Sequence, residues 1–354
     1  GSIVYTLDNK KQSDCAPLST ELLSILGAII GRKEFKNSSV AASLTGGRDS
    51  RLIAAIAAAQ FPNIHYRIAI SSKRSTSLRD LGVAKKIAKV SGIPLDVYPF
   101  QHGQDEKRFC TLTEGFAPSF NHSITPLINN AGAYSLGFGG VYGTELFMPI
   151  PWNSIDDYVQ LSIDSAKKVL KVEDGFWKYF REALYDEFQR TKDHYHLSDS
   201  DERDYIRLFN LLDTARYSSF IISAFNRSGY QLEPYGSYAV LDLALRVAPT
   251  LWGNHRRFGG NALVQKAAMA KLDPRLGKLM TYAHMRPMVP LSITSTPLYI
   301  FGFTKQIALW LGNKIVAFNK VQMRTDFSEG YYLSNGWEKH FIKRSVKKYG
   351  DLVK

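Results

Sequence analysis

The chain is 354 residues long and carries a formal net charge of +13, from 45 Lys and Arg against 32 Asp and Glu. With 45% hydrophobic and 22% charged residues, it can bury a sizeable core, which excludes a disordered or collagen-like chain. No run approaches the roughly 18 apolar residues of a membrane span, and no secretory signal pattern opens the sequence.

The elements alternate at first. Ser39 to Leu44 has strand character and ends at Thr45-Gly46-Gly47. Arg51 to Ala59 is alanine-rich and apolar on most sides, which predicts a helix buried against a sheet. Ile64 to Ile70 predicts a second strand, residues 77–90 an amphipathic helix, and Ile93 to Tyr98 a third strand. A helix over 126–135 and a buried strand over Ser135 to Gly139 follow. From about residue 155 the pattern turns helical and charged, over 155–171, 176–192, 203–225 and 238–248, with a polar loop at 193–202. The expected fold is therefore α/β, a Rossmann-like parallel sheet flanked by helices, with a mostly helical C-terminal half. The expected division is a nucleotide-binding half over 1–150 and a substrate half over 151–354, together forming one unit.

Charge and cysteines set the outer bounds. A basic surplus points to an anionic partner, whether nucleotide, nucleic acid, acidic sugar or membrane face, and ranks none of them. Cys15 and Cys110 are too few for a disulfide framework or a zinc site, so they read as small buried hydrophobes in a reducing cytoplasm. Gly1-Ser2 reads as a cloning remnant that hides the natural N-terminus. His194-Tyr195-His196 has no third ligand in view and reads as surface. The stripe Ile307, Leu311, Ile315 and Phe318 reads as core, and the lysine-rich tail over 339–354 as a solvated helix.

The segment that carries chemistry is Ser43-Leu44-Thr45-Gly46-Gly47-Arg48-Asp49-Ser50-Arg51. It falls where a strand ends and a helix begins. Two glycines permit a tight turn that exposes backbone N–H groups. Those donors and the helix N-terminus make an anion cradle, to which Thr45 and Ser50 add hydroxyls. Asp49 beside a phosphate implies a bridging cation, for which Mg²⁺ is suited. The segment lacks the Gly-Lys-Ser/Thr ending of a Walker loop and is not Gly-x-Gly-x-x-Gly.

This segment resembles the pyrophosphatase loop Ser-Gly-Gly-x-Asp-Ser of ATP-dependent ligases, with Thr45 in the first serine's place. More of the chain is similar to the synthetase domain of the asparagine synthetase family, in the PP-loop ATP pyrophosphatase, adenine nucleotide alpha-hydrolase-like superfamily. Ser77 and Asp80 resemble its Ser-x-Asp, and Gly137 to Phe147 its Gly-x-Asp-Glu-Leu-Phe segment. Gln231 to Tyr235 with Leu241-Asp242, and Leu243 to Leu245 before Pro249, echo later segments. The similarity spans roughly residues 18 to 290.

The resemblance implies ATP and Mg²⁺ as cofactors and a two-step reaction. A carboxylate is adenylated with release of pyrophosphate, and an amine then forms an amide with release of AMP. It implies that Leu44, Thr45, Gly46, Gly47, Arg48, Asp49, Ser50, Ile70, Gly139 and Gly140 bind the nucleotide, with adenine near the Leu44 and Ile70 backbone. Asp49 would hold Mg²⁺, while Thr144 stands where the family has a second Mg²⁺-binding Asp. Glu145 matches the family's catalytic Glu. Lys278, out of register, and Arg286 are candidates for its lysine. Arg48 and Arg51 would meet phosphate or an acidic substrate, or be exposed; Arg51 joins Glu145 and Lys278 as a catalytic candidate.

The glutaminase half of that family is absent. Ammonia from a separate or removed glutaminase, or an amine on the substrate, would fill its role. The carboxylate substrate would be a small molecule, a peptide or a sugar acid. Two other readings remain: a tRNA-modifying PP-loop enzyme, which the positive charge favours, and a degenerate nucleotide-binding protein without catalysis, which Thr144 favours.

Overall fold

The computed structural model describes residues 11–71, 75–113, 123–147, 152, 154–167, 173–194, 202–252, 261–281, 286–302, 304 and 305. His196 and most of the 304–318 stripe, like the whole 339–354 tail, lie outside the described residues.

Helix α1 (Cys15–Ile30) opens the described fold. The Asp14 carboxylate caps it by accepting from Ala16 N–H at 2.9 Å. Leu18, Leu22, Leu26 and Ile30 recur every four residues and form its buried stripe. The β/α alternation then follows: β1 (Val40–Ser43), α2 (Asp49–Gln60), β2 (His65–Ile70), α3 (Ser75–Ser91) and β3 (Leu95–Pro99). After α4 (Gln104–Leu112) and the single turn α5 (Thr125–Asn129) comes β4 (Leu136–Phe138), then α6 (Gly143–Phe147).

The helix expected over 126–135 is two short pieces, α5 and a 3₁₀ turn at Ala131–Ala133. Gly132 lies at the break: a Cβ there would stand 2.8 Å from the carbonyl oxygen of Ser228, which sits in a turn of the second half, so that turn packs closely on this one. The helical half supplies α7 (Ile155–Lys167), α8 (Asp174–His194) and α9 (Glu202–Asn226). It also supplies a strand that the sequence did not suggest, β5 (Tyr230–Leu232). Helices α10 (Tyr238–Arg246), α11 (Pro249–Trp252), α12 (Leu263–Leu272) and α13 (Pro274–Gly277) complete the described elements.

The five strands form one sheet in the order β3-β2-β1-β4-β5. All four pairings are parallel. Parallel strands are buried on both faces and read as apolar runs, as Val40-Ala41-Ala42 does. The chain leaves β1 toward β2 and β3, then returns to β4 on the other side of β1. The switch point therefore lies between the carboxyl ends of β1 and β4, where an open parallel sheet takes its ligand.

Helix α2 explains its own composition. Every residue from Ser50 to Ala57 is buried. It packs on β1, α1 and α12 at once, and alanines allow that approach on all sides. One hydrophobic cluster runs from Leu18 to Met288, taking in Tyr235, Leu243, Trp252 and Met269 from the second half. A satellite core of Val159, Ile163, Trp177, Phe188, Ile206 and Phe209 joins α7, α8 and α9. No helix among the described residues is long and apolar enough to cross a membrane.

Candidate active site

The Leu44–Arg48 loop leaves β1 at the switch point. Leu44 is fully buried and extends the ladder, its N–H donating to the Arg67 carbonyl at 2.8 Å. Beyond it, three successive N–H groups turn inward. Thr45 N–H donates to Ser50 Oγ at 3.1 Å, and Gly47 N–H to Thr45 Oγ1 at 3.2 Å. Gly46 N–H donates to Asp80 Oδ1, from α3, at 2.6 Å. The Thr45 and Ser50 hydroxyls lie 2.8 Å apart, closing the loop on itself.

Across the switch point, the β4 end comes up against the loop. A Cβ on Gly140 would stand 2.6 Å from Ser50 N, so only glycine lets the two backbones approach this closely. A Cβ on Gly143 would stand 2.6 Å from Asp49 Cγ. A Cβ on Gly139 would strike the Glu233 carboxylate. Tyr142 bridges these glycines at φ 77, a left-handed backbone that costs on the order of 1 kcal/mol outside glycine.

Asp49 is the centre of the arrangement. Its Oδ2 accepts from Thr144 Oγ1 at 2.6 Å, and its Oδ1 from Gln265 Nε2 at 2.8 Å. Gln265 is fully buried and also donates to the Tyr235 hydroxyl at 3.1 Å. Glu145 is half-buried, and its carboxyl is pushed up to about 7, first by burial and then by Asp49. The Tyr142 phenol is likewise raised by burial, with the Glu233 and Glu145 carboxylates adding to it.

This donor set fits Mg²⁺. Two neighbouring carboxylates and a hydroxyl offer hard oxygen ligands, and Mg²⁺ takes one or two carboxylates with phosphates and waters completing its shell. No group of three or more His, Cys, Asp or Glu side chains converges among the described residues.

The arginines of the loop are not exposed. Arg48 is 8% exposed and Arg51 fully buried. Arg48 donates to Asn261 Oδ1. Arg51 donates to the carbonyls of Leu279 (2.7 Å), Met280 (3.1 Å), Leu276 (3.2 Å) and Gly46 (3.4 Å). Its guanidinium thus ties the loop to the segment after α13. Lys278 lies exposed in that segment, where it closes α13. Arg286 is 9% exposed, within electrostatic reach of Arg48.

The structure also brings in residues the motif reading did not single out. Lys266 on α12 is 2% exposed and donates to the Tyr299 hydroxyl at 2.9 Å. Burial, then Arg48 and Arg286, push its amine down to about 7. A lysine inside the apolar run Leu263–Met269 was its signal in the sequence. Behind the sheet, Arg67 donates to Gln231 Oε1 at 2.6 Å, and Gln231 Nε2 to Glu233 Oε1 at 2.8 Å. Val141 N–H donates to Glu233 Oε2 at 2.9 Å, and burial pushes that carboxyl up to about 7. Ile70 ends β2, its carbonyl accepting from Phe100 N–H at 2.7 Å. Cys15 and Cys110 form no disulfide among the described residues and are half-buried rather than fully buried. A cavity of 320 Å³ between α7, α8 and α9, lined by Tyr185, Phe188 and Tyr205 among others, belongs to the satellite core and not to this site.

No protein-family model matches the chain, and no curated protein matches its sequence. Among solved structures it is similar to the U34-tRNA thiolase NcsA from Methanococcus maripaludis with its 4Fe–4S cluster. That similarity has a TM-score of 0.27 and 13% identity, over 55% of this chain and 80% of that one. A likeness of that size names no family.

Proposed function

We propose that the chain is an ATP-dependent ligase, of the asparagine synthetase type, that adenylates a carboxylate and forms an amide. The observation that carries this reading is the Thr45–Ser50 loop at the switch point, with Asp49 facing Thr144 and Glu145. A substrate carboxylate oxygen attacks the α-phosphorus of ATP, the bond to the bridging oxygen breaks, and pyrophosphate leaves. An amine or ammonia then attacks the acyl carbon, gives up a proton, and AMP leaves.

The chain's own groups suit these tasks. The N–H groups of Thr45, Gly46 and Gly47, with the Thr45 and Ser50 hydroxyls, bind and orient the leaving phosphates. The Leu44 and Ile70 backbone edges, at the ends of β1 and β2, take the adenine, and the Gly139-Gly140 turn lets the end of β4 close against the loop. Asp49, with Thr144 and Glu145 beside it, would hold Mg²⁺, which when bound would neutralise phosphate charge. Glu145, with its carboxyl near 7, is poised to take the proton of the incoming amine. Lys266, Arg286 and Lys278 are the cations available to the developing negative charge, and Arg51 positions the loop among them.

In this reading residues 1–150 carry the nucleotide and 151–354 the substrate, in one unit, and two cysteines outside any disulfide suit a reducing cytoplasm. The carboxylate is an amino acid, a peptide or a sugar acid.

The test is a panel of such carboxylates with ATP and Mg²⁺, scored for matched AMP and pyrophosphate release. Tight ATP binding without release for any carboxylate would favour a non-catalytic nucleotide-binding protein, the reading that Thr144 motivates. The charge of +13 favours a tRNA-modifying PP-loop enzyme as a second catalytic reading. AMP release stimulated by tRNA, with tRNA affinity falling steeply with salt, would establish it instead.

A further inference from the structure

The contact between Asp80 and Gly46 N–H takes the proposal one step on, and rests on the loop being a phosphate site. We propose that Asp80 is a resident anion of the cradle, a latch that the pyrophosphate portion of a nucleotide displaces.

Three N–H groups line the loop, and their present partners differ in kind. Thr45 N–H and Gly47 N–H meet hydroxyls. A hydroxyl rotates and becomes a donor to an arriving phosphate oxygen, so both contacts are compatible with ligand. An ionised carboxylate is acceptor-only. Asp80 therefore takes the Gly46 donor that phosphate would use, and also repels it. At 2.6 Å the bond has the length of a charge-assisted one. It is no local turn, since Asp80 stands 34 residues on, in α3.

The surroundings leave this bond as the carboxylate's main support. Helix α3 packs on β2, β3 and α13. Of the charged groups on those elements and their flanks, Arg275 pairs with Asp273 at 2.9 Å and His65 with Asp96 at 3.2 Å. Arg67 is held by Gln231, and Arg51 by backbone carbonyls. On α3 itself, the neighbouring Arg79 is exposed. Burial pushes the Asp80 carboxyl up to about 6, with the Gly46 bond working the other way. The latch is thus set at pH 7.5 and released as pH falls through that value.

The experiment is calorimetric titration of inorganic pyrophosphate, with Mg²⁺, into the wild-type chain and the Asp80→Ala and Asp80→Asn variants at pH 8 and pH 5.5. Amide spectra of Gly46 are recorded in parallel. Asp80→Ala is expected to bind about tenfold tighter at pH 8, the scale of one charge-assisted bond. That advantage shrinks toward nothing at pH 5.5, where wild-type Asp80 is protonated. Asp80→Asn, which keeps an acceptor without the charge, falls between. The wild-type Gly46 amide resonance shifts on pyrophosphate addition and, without it, with a midpoint near pH 6. Equal or weaker binding by both variants at pH 8, with their thermal melts unchanged, would overturn the latch. If neither wild type nor variants bind pyrophosphate at either pH, the phosphate-site reading itself fails.

Discussion

Thr144 donates its hydroxyl to Asp49 across the crevice at 2.6 Å. Helices α2 and α6, on opposite sides of the switch point, are thus joined through the Asp49 carboxylate. With Gln265 on the other oxygen, Asp49 is oriented before any ligand arrives.

Asp49→Asn keeps the size of that side chain and removes its charge. Mg²⁺-dependent ATP affinity is expected to fall at least ~10-fold and pyrophosphate release on the order of 10²-fold, while the melting temperature stays within a few degrees. Calorimetry and a pyrophosphate assay read the two effects separately. Unaltered turnover would remove Asp49 from the mechanism.

Thr144→Asp adds a carboxylate opposite Asp49, beside Glu145. Like charges at that distance repel, so the variant should melt lower than wild type without divalent ions. Added Mg²⁺ should reverse the loss, with half-maximal activity at a lower Mg²⁺ concentration. A melting temperature indifferent to Mg²⁺ would count against a cation here.

Arg51 is predicted to matter for stability before activity. Arg51→Met leaves the Leu276, Leu279 and Met280 carbonyls short of a donor in a buried setting. The cost should be about 3–5 kcal/mol in urea unfolding, as for other buried charged networks that lose one partner. Unchanged stability with lost activity would instead assign Arg51 to the chemistry.

Gly140→Ala tests the close approach of β4's end to the loop. Its Cβ would meet Ser50 N at 2.6 Å, and backbone on both sides cannot give way cheaply. A loss of about 1–3 kcal/mol is expected, the scale of overpacking, together with weaker ATP binding. Gly82, in the interior of α3, whose added Cβ would meet nothing within 4 Å, is the control: Gly82→Ala should leave ATP binding unchanged and stabilise by up to about 1 kcal/mol.

Glu145 gives a pH dependence of stability. Its folded carboxyl is raised to about 7 from an ordinary 4.5, so the fold disfavours the charged form. The folded state holds a proton between those values that the unfolded chain has lost, and stability drops as pH rises through that window. Glu145→Gln should therefore gain on wild type from pH 4.5 to 7 and hold the gain above it, on the order of 1 kcal/mol given partial exposure. Parallel denaturant curves across that range decide it; a gap that does not widen with pH would refute the shift.

Local patterns were legible. The β-α-β-α-β run from Val40 to Pro99 matches the observed elements because apolar runs and an alanine-rich helix carry their own signal. The loop was legible because glycines, hydroxyls and an acid coincide at a strand end. Helices α1, α4, α6, α11, α12 and α13 and strand β5 were missed. Tyr230–Leu232 is three residues long and becomes a strand only by pairing with β4. The alternation expected of longer strands has no room to show in it.

The partners of the site lay beyond sequence reading for a related reason. Gln265 reaches Asp49 across 216 positions, and Asp80 reaches Gly46 across 34. Nothing in the spacing of either residue marks it as a neighbour of the loop. The arginines show a related limit: Arg48 and Arg51 read either as phosphate or substrate contacts or as exposed side chains, and the fold buries both against polar partners.

By itself the sequence determined a parallel α/β sheet and a glycine-rich turn at the end of its first strand, because backbone turn chemistry and hydrophobic period are written locally. Only the tertiary structure decided what surrounds that loop. Burial there sets whether a charge is free, paired or displaced. Burial is a property of the packed whole, set by chain segments that are distant in order and adjacent in space.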